Sequence, residues 1–199
     1  MKKLTLATLS TLALTLSCAN VFAVDGTITV NGVITDGTCT LLGNSIGVSG
    51  TKDITVNIPA VPKSWFISNR FPMFELIHLS LKNATGTGPC DAATVKALKG
   101  IHLGVTSPTY LDATDKRFLV NRSTSASTKN PVFISVSAYV GDDSKSVDFS
   151  EPWGDQVISN LYRFGNEVSI RYVASVYSKT GIVDAQNVTA TINYTLHYN

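Results

Sequence analysis

An apolar residue recurs at every second position along three stretches of this chain, and that period of two limits its fold more than any other feature. Val132, Ile134, Val136, Ala138 and Val140 fall on one side of an extended backbone, as do Val168, Ile170, Tyr172, Ala174 and Val176. A third run, Ala190, Ile192, Tyr194, Leu196 and Tyr198, carries the pattern to the last residue but one. Wound into a helix, these residues would scatter around the axis; drawn out as strands, they make one buried face. Gly26 to Thr35, with Ile28 and Val30, has the same alternation, as do Phe74 to Lys82 and Lys99 to Val105. Thr38 to Leu42 and Asp53 to Ile58 are short strand candidates about a Gly/Ser-rich turn, and Pro59 and Pro62 end that region. Residues 91–99 have room for one helical turn capped by Asp91. Residues 107–131 and 141–160 read as long surface loops. Seven or eight strands, with no repeat and no linker, predict a single all-β domain built as a sandwich.

Composition narrows the function. Hydrophobic residues make up 44% of the 199 and charged residues 15%, which suits a folded core rather than a disordered chain. The formal net charge of +2 gives nucleic acid or an anionic membrane no broad basic surface.

The first segment reads as an export signal. Lys2 and Lys3 precede an apolar run from Leu4 to Leu16, and small residues stand at Val21 and Ala23, which predicts cleavage after Ala23. The run is too short and too Thr-rich for about 30 Å of hydrocarbon. A lipoprotein signal at Cys18 would have Thr15 where Leu is wanted. Cleavage leaves a mature domain of residues 24–199 with two cysteines, Cys39 and Cys90. In an exported chain an even pair reads as a disulfide, with two buried thiols as the alternative. Two cysteines alone do not make a zinc site.

Candidate chemistry is sparse. Gly43-Asn44-Ser45-Ile46-Gly47 matches G-x-S-x-G, but Val48-Ser49-Gly50-Thr51 follows as a turn where a nucleophile elbow needs a helix. His78, His102 and His197 have no metal-binding spacing, and Asp112/Asp115 and Asp142-Asp143 lack the remaining ligands of a calcium loop. Trp65 and Trp153 stand near Pro-containing loops, as sugar platforms or as partly buried anchors. Asn83, Asn121, Asn187 and Asn193 head Asn-x-Ser/Thr sequons. The reading is of a non-enzyme that requires no cofactor.

The two ends are more informative. An alternating strand at the terminus with no later strand to cover it exposes backbone donors and acceptors beside apolar side chains. The segment after the cleavage site is a strand without a local hairpin partner. One end is suited to complete a neighbour's sheet while the other receives a strand, and repetition of that contact is head-to-tail.

These residues resemble a known family. Asp25-Gly-Thr-Ile-Thr-Val-Asn-Gly-Val-Ile-Thr-Asp-Gly-Thr-Cys39 looks like the mature N-terminus of chaperone–usher fimbrial subunits, the pilins. Leu79 to Cys90, Val168-Ser-Ile-Arg-Tyr-Val-Ala-Ser-Val-Tyr177 and Ala190 to Asn199 resemble their later landmarks, in the same order. The nearest likeness is to major subunits of Bordetella-type fimbriae. The resemblance implies an incomplete immunoglobulin-like sandwich that lacks its C-terminal strand and is completed in trans by a donor strand. It implies a periplasmic chaperone, an outer-membrane usher and neighbouring fimbrial subunits as partners, and a place in an extracellular fimbrium on the cell surface that contributes to cell adhesion. Carried over, residues 24–35 are the donor segment. Ile28 and Val30 enter the preceding subunit's groove, and Gly26 or Gly32 allows close backbone approach. Ala190, Ile192, Tyr194, Leu196 and Tyr198 border the acceptor groove. The Asn199 carboxylate faces basic residues of the chaperone, and Cys39–Cys90 staples the first two strands. The loops at 107–131 and 141–160 leave room for a surface toward a host receptor. The chain is too short to carry an added lectin domain, which points to a shaft or adaptor subunit. The competing reading is a secreted, self-complete sandwich that binds carbohydrate near Trp65 or Trp153.

Overall fold

The computed structural model describes residues 39–67 and 73–199. Its described strands are β1 (Thr40–Gly43), β2 (Val48–Ser49), β3 (Thr55–Val56), β4 (Phe74–Lys82), β5 (Leu98–Gly104), β6 (Phe118–Val120), β7 (Phe133–Val140), β8 (Asp143–Ser146), β9 (Leu161–Phe164), β10 (Glu167–Tyr177) and β11 (Asn193–Tyr198). Two short helices, α1 (Ser64–Ile67) and α2 (Ala92–Ala97), interrupt them.

The long alternating run at 168–176 becomes β10, the middle of the larger sheet. Its residues are alternately buried and half-exposed along almost its whole length, as one strand face against a core requires. β10 pairs antiparallel with β4 from Ser169↔Ser80 to Ser175↔Phe74. On its other edge lie β7, from Tyr172↔Ala138 to Tyr177↔Phe133, and β9, paired with the start of β10. β1 extends the sheet beyond β4, and β6 and β8 extend it beyond β7. β5 and β11 form a separate two-stranded sheet.

Both sheets feed one core. Leu79 and Leu81 of β4, Val168, Ile170 and Tyr172 of β10, and Val136 and Ala138 of β7 pack with Leu98, Ile101 and Leu103 of β5. Ile170 and Ala138 are wholly buried. Each fully buried aliphatic of Ile or Leu size contributes about 1.5–3 kcal/mol relative to exposure. The Tyr172 hydroxyl donates to the Ile101 carbonyl at 3.5 Å, linking the layers, and burial pushes its ionisation far above the usual phenol range. A smaller cluster of Val132, Val176 and Val183 packs with Ile58, Val61, Phe66 and Met73.

Local chemistry explains the breaks. Asp91 caps α2, its Oδ1 accepting from the Thr94 N–H at 2.9 Å, as the sequence predicts. Arg163 of β9 donates to the carbonyls of Val95 and Leu98 at the far end of that helix, satisfying two acceptors a short helix leaves over. Cys39, just before β1, is disulfide-bonded to Cys90, just before α2, with Cα atoms 5.7 Å apart.

Three expectations about the strands change. The region read as one loop at 107–131 contains a 3-10 turn at Pro108–Tyr110 and the strand β6. The second loop region opens with β8, whose four residues are all exposed and so show no alternation to read. Of Asp53 to Ile58 only Thr55 and Val56 pair, with β2.

Candidate strand-acceptor groove

β11 runs antiparallel to β5 from Asn193↔Gly104 to His197↔Gly100, with a register shift between His197 and Tyr198. The Leu103 N–H and C=O turn away from β11, toward Gln156, so Leu103 and Tyr194 are a non-hydrogen-bonded pair. By the same alternation, Tyr194 and Leu196 direct their own N–H and C=O groups to the far side of β11. Among the described residues β11 is paired on one edge only, by β5.

The apolar side chains of β11 and of the residues leading into it are less buried than the core they pack on. Ala190, Ile192, Tyr194 and Leu196 all pack on the main cluster, yet each is only half-buried. The equivalent inward residues of β10 are fully buried, because β10 is flanked on both edges. Tyr198, beyond the register shift, is 40% exposed. Desolvation raises the ionisation of both Tyr194 and Tyr198 above the usual phenol range.

A second apolar row contributes to the same cluster. Ile54, Val56 and Ile58 are half-buried at a spacing of two. The Tyr194 hydroxyl donates to the Lys52 carbonyl at 2.9 Å, which ties β11 to the segment carrying that row. The sequence reading placed a strand here but gave these residues no part in the site; their alternation beside two prolines was the available signal.

The predicted donor residues Gly26, Ile28, Val30 and Gly32, with the cleavage site after Ala23, lie outside the described residues.

The other candidates resolve into structural roles. Ser45 and Val48 close a tight turn, with the Val48 N–H donating to the Ser45 carbonyl at 3.0 Å. The Ser45 hydroxyl donates to the Leu76 carbonyl at 3.0 Å and accepts from the His78 N–H at 3.4 Å, latching this turn to β4. It is therefore committed to main-chain groups and has no helix behind it. Asp112 accepts from Thr114, from the Asp115 N–H and from the Lys179 ammonium at 2.6 Å. Burial opposes its ionisation, but these donors outweigh burial and hold the carboxyl well below the usual range. Among the described residues, the one cluster with metal-ligand geometry is Cys39, Cys90 and Asp91, and its two sulfurs are consumed by the disulfide. Asn121 is buried, and its amide donates to Gln186 and to the Asn187 carbonyl, so it is not placed to carry a glycan.

Trp153 also serves packing. Its ring stacks on His197 with centroids 3.9 Å apart and planes 3° from parallel. A Cβ at Gly100 would come within 3.2 Å of the indole, so glycine there allows the ring to close over β5. His102 sits edge-on to His197 and shares a 2.9 Å hydrogen bond with the Glu151 carbonyl. Burial, with His102 nearby, holds the His197 imidazole below its ordinary pKa.

No protein-family model matches the chain. The F17 fimbrial protein of Escherichia coli is 26% identical over 182 residues, covering 92% of this chain and 92% of that protein. The crystal structure of the P pilus rod subunit PapA superimposes with a TM-score of 0.50 at 20% identity, over 87% of this chain and all of that one, a likeness of fold. Nothing in these matches singles out the Bordetella-type fimbriae. The chain is thus similar along nearly its whole length to a fimbrial protein and shares the fold of a pilus rod subunit.

Proposed function

We propose that this chain is a fimbrial subunit of the chaperone–usher class that polymerises head-to-tail by donor-strand exchange, the groove along β11 receiving residues 24–35 of a neighbour. The observation that carries this reading is the half-buried row Ala190, Ile192, Tyr194 and Leu196, its last two members on β11, a strand paired along one edge, and its first two on the segment leading into it. A strand added there would meet outward N–H and C=O groups of Tyr194 and Leu196. It would also cover apolar surface shared with Ile54, Val56 and Ile58. In the incoming segment, Ile28 and Val30 are the side chains that enter, and burying both would contribute roughly 3–6 kcal/mol.

The fold then stands as an incomplete immunoglobulin-like sandwich whose missing strand comes from another chain. Residues 1–23 direct export, a periplasmic chaperone holds the groove until assembly, and an outer-membrane usher exchanges the chaperone's strand for the next subunit's. The finished protein lies in an extracellular fimbrium as a structural part with no catalytic role.

The test compares mature residues 24–199 with the same chain carrying a second copy of residues 24–35 behind Asn199 through a short Gly/Asn linker. A large rise in unfolding midpoint, with a shift to a uniform monomer, is the expected result. A parent that is already as stable and as monodisperse would show a complete sandwich. In assembling cells, Ile28→Asp or Val30→Asp should spare export and chaperone binding but stop filament growth; normal filaments would contradict the donor register.

A further inference from the structure

An exposed strand edge invites pairing with any other strand, so a subunit that assembles through one edge has to close the others. Among the described residues, three edges of the larger sheet are closed by different means. Outside β1, Gly43 N–H donates to Gly50 and Lys52 N–H donates to Leu41, so residues 50–52 cover that edge. β8 presents Asp143 and Lys145, exposed charges that oppose pairing. β6 is bordered by Leu111 and Asp112, whose N–H donates to the Phe118 carbonyl.

β5 is the revealing case. It is the outer neighbour of β11, and its far edge is met by a side chain instead of a strand. Gln156 is 5% exposed although it stands in a loop. Its Oε1 accepts from the Leu103 N–H at 2.9 Å, and its Nε2 donates to the Leu103 carbonyl at 2.8 Å. One carboxamide thus makes the two bonds that a neighbouring strand would make to this residue. Nε2 also donates to the Asp148 carbonyl at 2.8 Å, which fixes the amide's orientation. The loop that presents it is anchored at both ends, by Phe149 N–H to the Lys116 carbonyl and Asn160 N–H to the Tyr139 carbonyl. The Trp153–His197 stack fastens its middle.

We propose that Gln156 is an edge lock: by occupying Leu103 it denies β5 to a second copy of this chain and confines strand addition to β11. The inference rests on the reading of β11 as the acceptor edge. It assigns Gln156 a role in specifying how subunits join, beyond holding its own loop.

The test uses the strand-appended chain described above, in which the acceptor edge is filled, with Gln156 intact, Gln156→Met and Gln156→Glu. Methionine keeps the length and apolar bulk but makes neither bond; glutamate keeps the acceptor for Leu103 N–H and loses both donations. By sedimentation velocity the parent should be monomeric, Gln156→Met should self-associate about tenfold more strongly or better, and Gln156→Glu should fall between. Amide exchange supplies the second readout. In the parent, Leu103 should be protected as well as Thr195, whose N–H belongs to the β5–β11 ladder. In Gln156→Met, Leu103 should lose at least about tenfold of that protection while Thr195 keeps its own. A folded, monomeric Gln156→Met with an exposed Leu103 amide would overturn the proposal. Should the variants not fold, an unprotected Leu103 amide in the parent would overturn it equally, and a protected one would support it. Comparing the unmodified and strand-appended parents reports separately on the acceptor groove. If those two behave alike, the groove reading fails, and the Gln156 comparison, made in the unmodified chain, still decides the edge lock.

Discussion

Ile192 offers a quantitative test of the groove, because its environment should differ between the open and the filled subunit. It is half-buried against the main core, one spacing before Tyr194 on the row bordering the open edge. Truncating a fully buried isoleucine to alanine costs about 2–5 kcal/mol through lost transfer energy and the cavity left behind. With half of that contact present, Ile192→Ala in the unmodified mature chain should cost about 1–2 kcal/mol. With residues 24–35 appended and lying along β11, the remaining half is covered, and the cost should grow by a further ~1–2 kcal/mol. Ile170, wholly buried in β10, is the control: Ile170→Ala should cost the same in both forms. Urea midpoints, with the disulfide intact and approached from folded and unfolded samples, separate the cases. An added cost of this size corresponds to about 0.5–1 M urea at an m-value of about 2 kcal/mol/M, usual for small domains. An equal cost of Ile192→Ala in both forms would refute the placement of this side chain under the incoming strand.

Further outcomes follow from the remaining contacts. Replacing Cys39 and Cys90 by alanine opens a loop of 51 residues and should cost about 4 kcal/mol on the chain-entropy account, read from the unfolding midpoint. Ser45→Ala removes the latch to the Leu76 carbonyl and should destabilise by about 1 kcal/mol; unchanged stability would show that the turn needs no latch. The Asp112 carboxyl is held below its ordinary 3.8 in the folded chain. Its stabilising effect is therefore present above that value and lost as pH falls below it, so Asp112→Asn should converge with the parent in strong acid. His197 is held below its ordinary 6.5, so the folded chain resists its protonation and stability falls as pH drops through that value. His197→Phe should keep the stack on Trp153 and lessen that slope in acid unfolding curves.

The sequence announces the strands that bury one face. β4 and β10 appear almost where the alternation of Ile77, Leu79 and Leu81 and of Val168 to Val176 puts them, and Asp91 announces α2. β8 is hidden because Asp143, Ser144, Lys145 and Ser146 are all exposed, leaving the alternation nothing to register. β6 is hidden by its length, three residues between charged and polar neighbours. The proposed acceptor border along Ala190 to Leu196 is legible as one apolar face, but its half-burial is a property of two sheets and not of one strand. Ile54, Val56 and Ile58 join it through packing that local pattern does not encode. Gln156 gives no sequence signal at all: a glutamine in a loop becomes a strand surrogate only through a hydrogen bond to Leu103, 53 residues away.

The disulfide has a mechanical consequence for a filament joined as proposed. In that arrangement tension enters each subunit through residues 24–38, which precede Cys39 in the chain, and leaves through the strand seated along β11. Because Cys39 is tied to Cys90, the pull crosses to the start of α2 and passes directly into β5, the partner of β11. β1 to β4, with α1, lie inside the closed loop and cannot be drawn out, withholding roughly 170–180 Å of chain that would otherwise pay out. Such a fibre meets tension as shear along the β5–β11 ladder, and the reduced fibre would yield first by unravelling from its N-terminal side.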